Sequence, residues 1–156
     1  MWIVAFIGAG VASALVHLAI TGFDVSASVI CSVFLLHQFV VTSGLIGVLG
    51  FYINVCIAKR TAENLGWPGG PFQIKYGFAQ LGVGVMGVLS IWLRGTFWAG
   101  TLITLYIYGA SGLWTHTAEL IRQKRADKIE IANIILDVIY HITLTVLSLY
   151  VPGVWG

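Results

Sequence analysis

Charge is scarce in this chain: eight Lys and Arg and six Asp and Glu make up 9% of 156 residues, against roughly 25% in a soluble domain. So little charge cannot solvate a globular surface. Cysteine is nearly absent, and the two present, Cys31 and Cys56, lie at opposite ends of one apolar region. They are too far apart to bridge each other, and no CxxC or comparable ligand spacing marks a metal centre. The connections between the apolar stretches are short, which leaves no room for a separate soluble domain. No nucleophile elbow, zinc-protease helix or phosphate loop occurs. Gly8-Ala9-Gly10 resembles a nucleotide turn, but it lies inside an apolar run with no strand before it.

What is present is apolar sequence, 58% of the residues, with a mean hydropathy of +0.94. Five stretches each have the ~20 residues that a helix needs to cross a hydrocarbon core of about 30 Å. They run from Trp2 to Thr21, Leu35 to Ala58, Phe72 to Leu93, Trp98 to Leu120 and Ile129 to Val151. The expected fold is a single all-α domain over 1–156, a multi-pass bundle of about five transmembrane helices in the inner, cytoplasmic membrane. Ala12-Ser13-Ala14 resembles a signal-cleavage site, but no Lys or Arg precedes it, so the first span is expected to be kept. Gly22 to Phe34 either extends the second helix or lies along the interface.

Basic residues orient the bundle. Lys59, Arg60 and Lys75 bracket the second connection and Arg122, Lys124, Arg125 and Lys128 fill the fourth, with only Arg94 on the other side. The positive-inside rule puts these two loops in the cytoplasm, the N-terminus inside and the C-terminus outside. Trp2, Trp67, Trp92, Trp98, Trp114 and Trp155 fall near span ends, where interfacial anchors belong.

Polar residues inside the spans lie in stripes. The second span puts His37, Gly44, Gly47, Phe51 and Asn54 on one face, and the third puts Gly77, Gln80, Gly84 and Gly87 on another. Small residues at that spacing let two backbones approach, with Gln80 bonding across the contact. The fourth span aligns Thr101, Thr104, Tyr108, Ser111, Thr115 and Glu119. The fifth aligns Glu130, Asn133, Asp137, His141, Thr145 and Ser148. An ionised carboxylate near mid-bilayer costs about 2.5 to 3.5 kcal/mol on the insertion scale, so these stripes must avoid lipid. Short connections make the last two spans antiparallel neighbours, which gives a polar seam containing Asp137, His141, His116, Glu119 and Asn133.

Asp137 and His141, one turn apart, can share a proton or a hydrogen bond. The cluster fits a proton relay, ion coordination or a polar head-group site, and also a polar lock between two helices. His17 and His37 lie at similar depth near the outer ends of the first two spans, the coarse condition for bis-histidine haem. No metal site is expected. The basic loops answer to topology and anionic lipid and not to nucleic acid.

Ala62-Glu63-Asn64-Leu65-Gly66-Trp67-Pro68, then Pro71-Phe72-Gln73 and Gly77-Phe78-Ala79-Gln80, together with Asn133 to Asp137, carry a family resemblance over about residues 35 to 145. The chain resembles an uncharacterised bacterial and archaeal family of small membrane proteins, similar in general build to the DoxX-like group. Lys75 departs from the pattern, where relatives tend to be acidic. The resemblance implies a compact helical bundle, and the DoxX-like analogy implies association with quinone-linked or thiol redox systems.

The expected function is that of a small accessory or scaffolding subunit without catalysis of its own. It would dock on a larger membrane complex or on itself, and could hold lipid, quinone or pigment. The alternatives are a proton-coupled transporter or channel using the polar seam, and a haem- or quinone-linked redox subunit.

Overall fold

A computed structural model describes residues 2–65, 68–123 and 128–156. The described residues form helices and turns, with no strand. Helix α1 spans Trp2–Thr21. Helix α2 runs without interruption over Ala27–Cys56. It is followed by a short α3, Ala58–Leu65, then α4, Pro71–Leu89, α5, Thr96–Gln123, and α6, Lys128–Leu149.

The stretch between Gly22 and Phe34 becomes helix from Ala27. Ser26 caps it, its side chain accepting from the Val29 amide at 3.4 Å. Within α2 two segments widen to π geometry, Gln38–Ser43 and Tyr52–Cys56. A π turn adds a residue and rotates the remainder of the helix about its axis, and such turns often mark functional positions. Here the first buries Gln38, Thr42 and Ser43 and the second buries Asn54.

Among the described residues, three helices are long and apolar enough to cross a membrane: Trp2–Thr21, Ala27–Cys56 and Ile131–Leu149 within α6. Helices α4 and α5 have 19 and 28 residues, but Gln73, Lys75, Gln80, the α5 hydroxyls and Glu119 dilute their apolar character.

Helix α2 organises the bundle, packing against α1, α4 and α6, while α5 packs mainly on α6. At the α2–α4 crossing a side-chain carbon on Gly47 would lie 2.6 Å from the Gly84 Cα, and one on Gly84 would lie 2.9 Å from the Gly47 Cα. The two backbones therefore touch. Gly87 lies against the Phe39 carbonyl, Gly77 against Asn54 and Val55, and Gly44 faces Val88. One apolar core joins Leu35, Phe39, Val83, Trp98, Leu102, Leu105, Tyr140 and Leu144. A smaller one joins Ala14, Leu18 and Val33 between α1 and α2.

Trp98 does not act as an interfacial anchor. It is 1% exposed, meets Phe39 edge-on and donates its indole N–H to the Ser90 carbonyl at 3.0 Å. A partner for the indole N–H is what lets so large a ring enter the core. Trp2, Trp92, Trp114 and Trp155 are exposed, and Trp67 lies outside the described residues.

Candidate functional site

Among the described residues, three groups of polar side chains bridge neighbouring helices. In the first, between α1 and α2, His17 Nδ1 lies 2.9 Å from His37 Nε2, and His37 Nδ1 lies 2.8 Å from Ser13 Oγ. The Ser13 hydroxyl is within 3.0 Å of the Gly10 carbonyl, to which it donates. One arrangement of protons satisfies the row: His17 N–H to His37, His37 N–H to Ser13, Ser13 O–H to Gly10. Further along, Thr42 donates within reach of Gln38 Oε1 at 2.8 Å and the Phe6 carbonyl at 3.0 Å. Gly10 makes room for Gln38 and Thr42.

This geometry bears on the haem expectation for His17 and His37. Two imidazoles on one metal each stand about 2 Å from it, which puts their nitrogens roughly 4 Å apart across an axial site. The facing nitrogens here are 2.9 Å apart and occupied by each other. Among the described residues no group of three or more His, Cys, Asp or Glu could hold a metal ion.

The second cluster joins α2, α4 and α5. Asn54 donates to the Gly50 carbonyl at 3.0 Å and to Gln80 Oε1 at 2.8 Å. Gln80 passes its own N–H to the Tyr108 hydroxyl at 2.7 Å, and Tyr108 lies 3.0 Å from the Tyr76 hydroxyl, the rings stacked. Gly50 is open so that the Gln80 amide can lie over it. Asn54 Oδ1 is buried without a partner.

The third cluster is on α6 and the face of α5 opposite it. His141 Nδ1 is 2.7 Å from the Asp137 carbonyl and 3.4 Å from its Oδ1, and Nε2 is 3.1 Å from the Leu105 carbonyl on α5. The imidazole fits because Gly109 has no side chain: a Cβ there would strike the ring. The Tyr106 hydroxyl meets Thr145 at 2.7 Å beside the same ring. His116 and Tyr108 both lie within electrostatic reach of Asp137. Glu119 makes a two-pronged pair with Arg122, at 2.6 and 2.9 Å, on the exposed side of α5, and Asn133 sits part-buried one turn before Asp137. The side chain of Glu130 lies outside the described residues.

The α5 hydroxyl stripe does not face α6 as the periodicity implies. Thr101 faces Ser90 at 3.4 Å and Tyr108 faces α4, while Ser111 and Thr115 are exposed and bond back to Tyr108 and Gly112. The residues presented to α6 are Leu102, Leu105, Tyr106 and Gly109. The physical reason is steric: His141 needs a glycine opposite it, and Gly109 lies a quarter-turn away from Tyr108. Gly109, Gly50 and Gly10 are partners that the polar stripes alone do not reveal. Their one signal is that each glycine lies at the level of a bulky polar residue on the next helix.

Fold and site together define a class: an all-helical protein with membrane-length apolar helices and polar clusters between them. Within it, a family described as one of unknown function, DUF6790, matches residues 1–152, and the chain belongs to that family. No curated protein and no solved structure matches the chain.

Proposed function

We propose that the protein is a multi-pass inner-membrane subunit of five spanning helices, N-terminus inside, that docks through its α5–α6 face onto a larger membrane complex or a second copy. Four of the spanning helices are α1, α2, α4 and α6. The fifth is α5, about 42 Å long at 1.5 Å per residue, which carries its inner end beyond a 30 Å core. The interhelical glycines, Gly44, Gly47, Gly77, Gly84 and Gly87 with Gln80, hold the α2–α4 pair rigid behind that face.

One observation carries the reading. The Asp137 side chain is 31% exposed and that of His141 is 19% exposed, on a helix of which 11% of the membrane-length window is buried within the chain. A carboxyl group at membrane depth must face protein or water. An open groove lined by Tyr106, His141 and Thr145 runs beside it. A partner helix with a hydrogen-bond donor would close that groove and cover the carboxylate. Extraction in mild detergent should therefore yield a complex or dimer of fixed stoichiometry by light scattering, and Asp137→Leu should weaken it at least tenfold. A partner-free monomer with full cellular activity overturns the reading.

A second reading, proton-coupled transport of a small solute, is favoured by the Asp137–His141 contact at 3.4 Å with His116 and Tyr108 in electrostatic reach. These are groups able to pass a proton between them. It requires that Asp137→Asn abolish pH-driven flux in proteoliposomes while far-UV circular dichroism is unchanged. Equal flux in the variant and the parent counts against it.

A further inference from the structure

A neutral imidazole has one N–H and one bare nitrogen, so it donates one hydrogen bond and accepts the other. His141 is not placed to do that. Its Nδ1 lies 2.7 Å from the Asp137 carbonyl, and its Nε2 lies 3.1 Å from the Leu105 carbonyl across the helix contact. A carbonyl oxygen only accepts, so both contacts are hydrogen bonds when both nitrogens carry protons and the ring is an imidazolium. The countercharge that such a ring needs at membrane depth is in place, because the Asp137 carboxylate lies 3.4 Å from Nδ1. Neither carbonyl can turn away by a change of rotamer, since both belong to helix backbone, and Gly109 leaves the slot that seats the ring.

The other groups around the ring leave this demand standing. Tyr140 meets it edge-on at 5.7 Å between centroids and Tyr106 lies tilted at 5.9 Å, with the Tyr106 hydroxyl turned to Thr145. From α5, His116 and Tyr108 are within electrostatic reach of Asp137. Helix α2, which also packs on α6, carries no Asp, Glu, Lys or Arg, and its His37 is engaged with His17 and Ser13. A groove of about 290 Å³ beside Tyr106, Ile142 and Thr145 opens onto the ring, so a proton has a route on and off.

We infer that His141 is a proton-binding site that latches α6 to α5: with both nitrogens protonated the ring bonds to both helices, and on losing the Nε2 proton it releases α5. The shorter contact, to the carbonyl in its own helix, keeps the remaining proton. The bare Nε2 lone pair then faces the lone pairs of the Leu105 carbonyl, the helices part at Gly109, and the released proton passes to water in the groove. The latch is closed at low pH and opens as pH rises through the titration of the ring. This deepens the transport reading and rests on it for the use of the movement. The measurement reads ring protonation and helix separation and not flux, so each can fail alone.

The test uses the full chain in detergent, with Cys31→Ser and Cys56→Ser, and spin labels attached through Ile107→Cys and Ile139→Cys, both exposed positions, on α5 and α6. Double electron–electron resonance compares pH about 5 with pH about 8, the range over which histidine changes charge. A single short distance is expected at the lower pH. At the higher, the ratio of short to long distances should fall about tenfold, the contribution of one hydrogen bond to a charged group. His141→Gln, which has no titrating proton, should give the same distances at both pH values, and Gly109→Ala, which unseats the ring, should give the long distance at both. Nitrogen NMR of histidine-labelled protein, with the His141 signals identified by their loss in His141→Gln, should show both ring nitrogens protonated at the lower pH and Nε2 bare at the higher. A bare ring nitrogen at the lower pH overturns the assignment. So does a distance distribution that is the same at both pH values in the parent, or one that still changes with pH in His141→Gln.

Discussion

Gly47→Leu should prevent α2 and α4 from docking and leave a protein that cannot be purified as a folded species in mild detergent. A Cβ at position 47 would lie 2.6 Å from the Gly84 Cα and 2.9 Å from both the Gly84 nitrogen and the Gln80 carbonyl. All of these are backbone atoms of a helix, so no rotamer change relieves the clash. Overpacking in a core that can adjust costs about 1 to 3 kcal/mol, and this contact cannot adjust, so the expected cost is at or above the top of that range. Two controls separate the steric cause from glycine loss in general. Gly44→Ala meets Val88 Cγ2 at an ordinary 3.5 Å and should change the thermal midpoint little. Gly82→Ala meets nothing within 4 Å and should stabilise, by roughly 0.5 to 1 kcal/mol, through helix propensity. If Gly47→Leu and Gly82→Ala melt at the same temperature, the close α2–α4 contact is wrong.

The same glycines show how far the sequence could be read. Gly77, Gln80, Gly84 and Gly87 share a face because 3.6-residue periodicity fixes it whatever the neighbour is, and Asn54 shares a face with Gly47 on the same ground. Which helix meets which is not a property of one periodic stripe. Tyr108 falls on the side of α5 that carries Thr101 and Glu119, and only the bundle reveals that Gln80 on α4 takes it. That His17 and His37 lie at one level is legible, but their direct hydrogen bond depends on the helical extension of α2 back to Ala27, which has no periodic signature, and the π segments that follow have none either. A π turn is a backbone accommodation to packing, so Gln38 and Asn54 give no local warning of it. The short α3 was hidden for another reason: eight residues with Lys59, Arg60 and Glu63 exposed read equally well as a charged loop, and its burial of Thr61 and Ala62 is a tertiary fact.

Trp98→Ala should be the second most damaging change. It should lower stability by about 3 to 5 kcal/mol, the range for emptying a buried aromatic site, measured by thermal unfolding in detergent. Among the described residues Trp98 is the largest fully buried side chain, and it does three things at once. Its ring meets Phe39 of α2 edge-on at 5.6 Å between centroids, its N–H satisfies the Ser90 carbonyl at the C-terminal end of α4, and Arg94 lies over its face at 5.0 Å. It thus ties the α4–α5 turn to the middle of α2. Trp98→Phe retains most of the apolar volume but leaves the Ser90 carbonyl without its donor. It should therefore cost less than the alanine variant, by the difference between a cavity and one lost hydrogen bond of about 1 kcal/mol. The turn also sets the direction in which α5 leaves, and through Leu105 and Gly109 it sets where His141 and Asp137 stand. A folded Trp98→Phe protein should therefore keep its association, while Trp98→Ala should lose association and stability together. If Trp98→Ala remained as stable as the parent, the tryptophan would belong at the lipid interface after all.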